Sequence, residues 1–203
     1  MANGSITERQ REFERLLAPV LGPAFGTAYH MTGCREEAED LVQDAAVRAF
    51  DAFDRFQPGT NFRAWFFTIM VNRFRYNHRK RKREPEMIDL EDAPDLYLYT
   101  QMSNADLLKK SDDPAHLIIE RMSEAQIQAA LGALPDEYRV VATLYFMEEL
   151  QYQEIAEIVG CPVGTVRSRL HRARKLLQKA LWVVAQERGL VSELTAEKAV
   201  IYS

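Results

Sequence analysis

The sequence predicts an all-α protein: two small helical domains joined by an acidic flexible linker, with a helix-turn-helix in the second. Three observations predict it. Apolar residues recur at spacings of three and four along most of the 203 residues, and strand-like alternation is absent. Residues 85–113 break that pattern with Pro85, Pro94 and a high density of Asp and Glu. Residues 151–181 read as a short helix, a glycine-containing turn and a second helix. The expected division is a first domain over 8–84, a linker over 85–113 and a second domain over 114–188. The last residues, 189–203, suit one short helix or a frayed end.

The formal net charge of −4 looks wrong for a partner of nucleic acid until it is resolved along the chain. Residues 61–83 hold Arg63, Arg73, Arg75, Arg79, Lys80, Arg81, Lys82 and Arg83 and no acid. Residues 162–179 hold Arg167, Arg169, Arg172, Arg174, Lys175 and Lys179, again without an acid. More than half of the 26 Lys and Arg thus sit in two short blocks, against 30 Asp and Glu that lie elsewhere. Local sign, and not bulk charge, decides which surface meets a polyanion, so two separate phosphate-contacting surfaces are expected.

Other classes find no support. No apolar run is long enough to cross a bilayer, and residues 1–15 lack the apolar core of a signal peptide, so a cytoplasmic protein without membrane insertion is expected. Cys34 and Cys161 are far apart with no CxxC, and His30, His78, His116 and His171 are equally scattered. Neither a disulfide framework nor a metal site is expected, and no cofactor. No nucleophile–base pair or phosphate-cradling glycine loop is visible, so no catalytic residue is assigned.

Taken in order, the first informative element is a helix over 36–56. Glu36, Glu37, Glu39 and Asp40 open it, where carboxylates complement the positive end of the helix dipole. Ala38, Leu41, Val42, Ala45, Ala49, Phe53 and Phe56 form one apolar stripe. Asp40, Gln43, Asp44, Val47 and Asp51 fall opposite. A charged face is ordinarily just solvated, but Val47 in its middle points to a partner surface.

The next helix spans 60–83, after a turn at Gly59-Thr60-Asn61 that offers an N-cap. Trp65, Ile69, Asn72 and Tyr76 share one side, and Phe67, Met70, Val71 and Phe74 the other. Such a helix is either buried on both sides or presents one to a ligand. Phe66, Phe67 and Ile69 are read as core. Aromatics leading into seven cations between 73 and 83 suit single-stranded nucleic acid, whose bases stack on rings while Arg and Lys track phosphates.

In the second domain, Leu134-Pro135-Asp136-Glu137-Tyr138-Arg139 begins a bracing helix. Residues 151–159 form a short helix ending at Gly160, Cys161-Pro162-Val163-Gly164 the turn, and Thr165 starts the next helix. Val166, Leu170, Ala173, Leu177 and Leu181 point inward; Gly164, Ser168, His171, Arg172 and Lys175 point outward, with Arg167 on the flank. Donors near the start of such a helix suit base edges in the major groove.

Together these segments resemble the extracytoplasmic-function (ECF) sigma factors, from about residue 10 to 182. The resemblance rests on Asp40-Leu41-Val42-Gln43-Asp44 with Phe50 and Phe53, on Asn61-Phe62-Arg63-Ala64-Trp65-Phe66-Phe67-Thr68-Ile69 followed by Asn72, and on Leu134-Pro135, Glu154-Ile155-Ala156 and the run from Cys161 to Arg169. It implies that Asp40, Gln43, Asp44 and Val47 meet the clamp helices of the largest RNA polymerase subunit. It implies contact with the flap of the second subunit as well. Phe56, Thr60, Asn61, Trp65, Asn72, Tyr76, Arg79 and Lys80 would engage the −10 promoter element, with a flipped base held by loop 56–61 and Asn72. Thr165, Arg167, Ser168, His171, Arg172 and Lys175 would engage the −35 element. An anti-sigma factor and a stress-type regulon are implied as well. Many family members carry an acid where Tyr76 stands. Without the first-domain features, the helix-turn-helix alone would equally suit a self-sufficient DNA-binding regulator.

Overall fold

The computed structural model describes residues 2–81, 119 and 122–187, with side chains over 8–78, 119 and 122–177. The predicted linker, the first residues of the predicted second domain and the stretch 189–203 lie outside the described residues. Within them the regular structure is helical throughout. The order is α1 (Ala2–Thr32), α2 (Arg35–Asp51), a 3-10 turn (Phe53–Arg55), α3 (Phe62–Arg81), α4 (Glu124–Gly132), α5 (Asp136–Phe146), α6 (Tyr152–Val159) and α7 (Val163–Glu187).

The first half is built by three helices that each bury one stripe. Phe13, Val20, Ala24, Ala28 and Met31 do so on α1, and Ala38, Leu41, Val42, Ala45 and Ala49 on α2. The expected helix over 36–56 ends sooner, at Asp51. The Arg55 and Phe56 amides bond three residues back, to Ala52 and Phe53, and this tighter turn carries Phe53 and Phe56 into the core. Arg9 of α1 holds the turn from outside, donating to Asp54 and to the Phe50 carbonyl. Phe13 then meets the edges of Phe50 and Phe53 with ring centroids 5.2 Å apart in both pairs, a geometry that contributes about 0.5–1.5 kcal/mol per pair beyond area burial.

Entry into α3 is set by two local devices. Gly59 takes a positive φ of 88°, which a side chain would strain. Asn61 then accepts a hydrogen bond from the Ala64 amide at 3.1 Å, making it the N-cap the sequence suggested. Phe66, Phe67, Met70, Val71 and Phe74 run buried along α3. Ile69 is half-buried: it packs against the edge of the core, as Trp65 does, from the outer side of the helix.

In the second half, α4 and α6 carry defined caps. Ser123 and Gln126 exchange hydrogen bonds as a capping box on α4. Glu154 accepts from the Gln151 amide at the start of α6. Gly160, at φ 67°, ends α6 in the left-handed conformation, and the Cys161 amide returns to the Ala156 carbonyl. The Pro162 carbonyl accepts from the Thr165 and Val166 amides, so α7 begins two residues before the expected Thr165. Val166, Leu170, Ala173 and Leu177 are buried as expected; the Leu181 side chain lies outside the described residues.

Arg139 ties this half together. Its guanidinium donates to the Leu131, Gly132 and Leu134 carbonyls at the end of α4 and to Met31 of α1. Burial lowers its pKa from the ordinary arginine value, and Asp136 acts in the opposite sense. The halves touch along α3 against α6 and along α1 against α4 and α5. Phe66→Ala and Leu170→Ala should each cost about 3–5 kcal/mol through the cavity left behind. Denaturant midpoints of the two variants read this directly.

Candidate nucleic-acid interface

The outer side of α3 is the first candidate surface. Asn72 is exposed and Tyr76 is 55% exposed, while Trp65 and Ile69 are half-buried. The Arg73 guanidinium lies 5.1 Å from the centre of the Tyr76 ring, a cation–π arrangement that orders the ring without hiding it. Arg48 of α2 joins Ile69, Asn72, Arg73 and Tyr76 around a cleft of about 480 Å³. An aromatic face beside an open amide can stack on a base and hydrogen-bond its edge, while both guanidinium groups are paired with Asp44 of α2.

Phe56 does not reach this surface. It is buried, stacked on Phe53 with centroids 6.0 Å apart, and its ring supports Trp65 at 5.2 Å. Its expected part in an exposed pocket is therefore corrected to a supporting one, because the 3-10 turn rotates it into the aromatic cluster. Thr60 is exposed and its hydroxyl donates to the Gln57 carbonyl at 2.7 Å, whereas the Asn61 side chain is engaged in capping α3. The side chains of Arg79 and Lys80 lie outside the described residues.

The start of α7 is the second surface. Gly164, Arg167, Ser168, His171 and Arg172 are exposed over its first turns, with Thr165 and Lys175 half-buried beside them. Ser168 donates to the Thr165 carbonyl at 3.0 Å, and Arg172 reaches the Tyr138 hydroxyl at 3.4 Å. Arg169 turns away instead and pairs with Glu137 of α5 at 3.0 Å, fixing α7 on its brace. A donor-bearing helix held rigidly by two others fits reading of the major groove.

An acidic groove lies between α2 and α3. Asp40 and Gln43 are exposed there and Val47 is 61% exposed. Asp44 is half-buried and paired with Arg48 at 3.0 Å and with Arg73, so its charge is largely spent within the chain. The groove encloses about 490 Å³ and extends to His78. The partners of Asp44 were missed in the sequence. Arg48 stands four residues after it, a readable helix spacing, but nothing in the sequence links Asp44 to Arg73. Among the described residues no group of His, Cys, Asp and Glu could hold a metal ion.

Comparison with known proteins decides the family. The family model described as sigma-70 region 2 matches residues 16–84, and that described as sigma-70, region 4 matches residues 124–177. The chain is similar to the ECF RNA polymerase sigma factor EcfG of Rhodopseudomonas palustris (strain TIE-1), 39% identical over 160 residues, covering 79% of this chain and 80% of that one. The chain belongs to the ECF sigma factors. This sigma factor also resembles the sigma factor RpoE solved in complex with the anti-sigma factor NepR from Bartonella quintana. That match has a TM-score of 0.61 and 27% identity, over 85% of this chain and 98% of that one. A second likeness is to CnrH, solved in complex with the cytosolic domain of CnrY, with a TM-score of 0.55 and 27% identity over 86% of this chain and 90% of that one.

Within the sigma factor, the region 2 match holds α2, α3 and the acidic groove, and the region 4 match holds the helix-turn-helix. The aromatics of α3 divide into core and surface, and the division is measurable. Trp65→Ala should destabilise the fold by about 2–4 kcal/mol, since Trp65 packs on Phe56 and Phe62. Tyr76→Ala should stay within about 0.5 kcal/mol of the parent. Equal shifts in chemical denaturation would erase the distinction.

Proposed function

We propose that this alternative sigma factor docks on core RNA polymerase through the acidic groove, with Asp40, Gln43, Asp44 and Val47 against the clamp helices of the largest subunit and the second domain on the flap of the second subunit. The outer side of α3, with Thr60, Asn61, Trp65, Asn72, Tyr76, Arg79 and Lys80, takes the −10 element. Thr165, Arg167, Ser168, His171, Arg172 and Lys175 of α7 take the −35 element. The observation that carries this reading is a pair of exposed helix faces, Asn72 and Tyr76 on α3 and Arg167, Ser168, His171 and Arg172 on α7, in one chain whose halves match regions 2 and 4. Neither face alone favours a polymerase over another partner; the two together with an acidic groove support one.

The domain division proposed is 8–84, 85–113 and 114–188, with the acidic middle segment passing into the polymerase channel. The protein does no chemistry of its own: it lends specificity to the polymerase, and holding an unstacked base favours melted DNA over duplex. No described helix is long and apolar enough to cross a membrane, and the site of action proposed is the cytoplasm. An anti-sigma factor is the proposed regulator of a stress-type regulon, by analogy with the NepR complex of its structural relative.

Run-off transcription with core polymerase and a promoter library tests the whole. Promoter-specific transcripts are expected; their absence, with tight duplex binding by the protein alone, would favour a self-sufficient regulator. Arg172→Ala should lower transcription from −35-dependent promoters roughly ten- to a hundredfold, the loss of about 1–3 kcal/mol of base contact, with polymerase binding intact. Val47→Arg should weaken co-purification with core polymerase while helix content and duplex binding are kept. A variant retained by the polymerase at full occupancy would remove the groove from the docking surface.

A further inference from the structure

The cleft beside Tyr76 offers a base an aromatic face and an amide, and every base arrives with a phosphate that needs a cation of its own. The described arginines of α3 are engaged within the chain. Arg63 pairs with Glu148, Arg73 pairs with Asp44, and Arg75 donates to the Val159 carbonyl at 2.7 Å. A cation already facing a carboxylate at contact distance has much of its field cancelled before an outside anion reaches it.

Arg48 is placed differently. It belongs to α2, yet it lines the same cleft as Ile69, Asn72 and Tyr76. Its side chain is 51% exposed, against 26% for Arg73. Asp44 Oδ1 takes its Nε at 3.0 Å, and among the described residues no other hydrogen bond or ion pair engages it. A guanidinium donates from three nitrogens, so both terminal ones keep their protons for a ligand.

The charge balance points the same way. Asp44 gives one oxygen to Arg48 and the other to Arg73, so a single carboxylate serves two cations. One positive charge is left over, and among the described residues no acid lines the cleft to offset it. Asp44 itself lines the acidic groove instead. Its bond to Arg48 spans one turn of α2 and orders the long side chain in advance, which lowers the cost of ordering it on a ligand.

We propose that Arg48 is a phosphate-binding residue of the −10 site, set at the cleft by Asp44 and gripping the backbone of the strand whose base lies against Tyr76. This rests on the reading of the outer side of α3 as the −10 surface. A phosphate contact fixes position and strength without reading sequence, which is left to Asn72 and the tyrosine ring. Adjacent residues of α2 thereby serve different partners: Val47 lines the acidic groove and Arg48 the cleft.

The test is binding of labelled single-stranded −10 oligonucleotides by the sigma factor assembled with core polymerase, followed by fluorescence anisotropy across a salt series. Arg48→Ala should weaken binding roughly three- to tenfold at low salt. The loss should be equal for a matched −10 sequence and for one with a changed base. The slope of log Kd against log salt should become shallower by about 0.7, the share of one phosphate on a single strand. The gap to the parent then narrows roughly 2.5-fold when salt is raised fourfold. A disturbance of α2 that merely lowered affinity would leave the slope where it was.

An unchanged slope, or a loss confined to one base, would overturn the proposal. So would failure of Arg48→Ala to co-purify with core polymerase, which would make Arg48 a docking residue. If the alanine lowers helix content, Arg48→Gln removes the charge with less change of shape and should show the same shallower slope. Asn72→Ala and Tyr76→Ala separate the proposal from the reading beneath it. Should they weaken −10 binding while Arg48→Ala does not, the phosphate contact falls and the surface stands. Should none of the three weaken it, the −10 assignment of α3 falls as well.

Discussion

The first half depends on one constraint: α3 must be buried along one side and open along the other. Phe66, Phe67, Met70, Val71 and Phe74 fill the core beneath it, so the helix cannot rotate without exposing five large apolar side chains. That burial fixes where Asn72 and Tyr76 point. It also brings Arg73 to Asp44 and Arg75 to the Val159 carbonyl. Orientation of the outer face is thus inherited from packing of the inner one, without any contact made for the purpose.

Helices, caps and the helix-turn-helix were legible in the sequence because their determinants are local. The stripe of Val166, Leu170 and Ala173, the glycine after Val159 and the Asn61 cap each act within a few residues. Where the sequence misled, a non-local force intervened. Phe56 continues the spacing of the α2 stripe, but the chain tightens into a 3-10 turn that stacks its ring on Phe53. Ile69 is as apolar as its neighbours, and only the position of α2 decides that it borders a cleft. The contacts of Glu148 were illegible altogether, since no periodicity relates it to Thr27, whose hydroxyl it accepts from, or to Arg63, with which it pairs.

Charge in this protein is segregated by use. Arg167 and Arg172 at the start of α7 stand where an anion can reach them, while others are consumed internally: Arg63 by Glu148, Arg73 by Asp44, Arg169 by Glu137. Counting basic residues along the chain overstates the free positive surface for this reason. The same holds for the acidic face, where Asp40 stands open and Asp44 does not. Salt will weaken the open groups first, since exposed charges are screened and half-buried pairs much less so.

Arg139 has a consequence of another kind. Three of its four carbonyl partners lie within eight residues, so the guanidinium is assembled as α4 and α5 fold together. The fourth bond, to Met31, uses a donor already aimed by the other three. Docking of the halves then immobilises no long side chain at that point, which spares the entropy that such ordering usually costs. Lysine could not take its place, because a single ammonium cannot reach four carbonyls spread over two helix ends. Contact between the halves is thereby made cheap to form and cheap to give up, the property required of a joint.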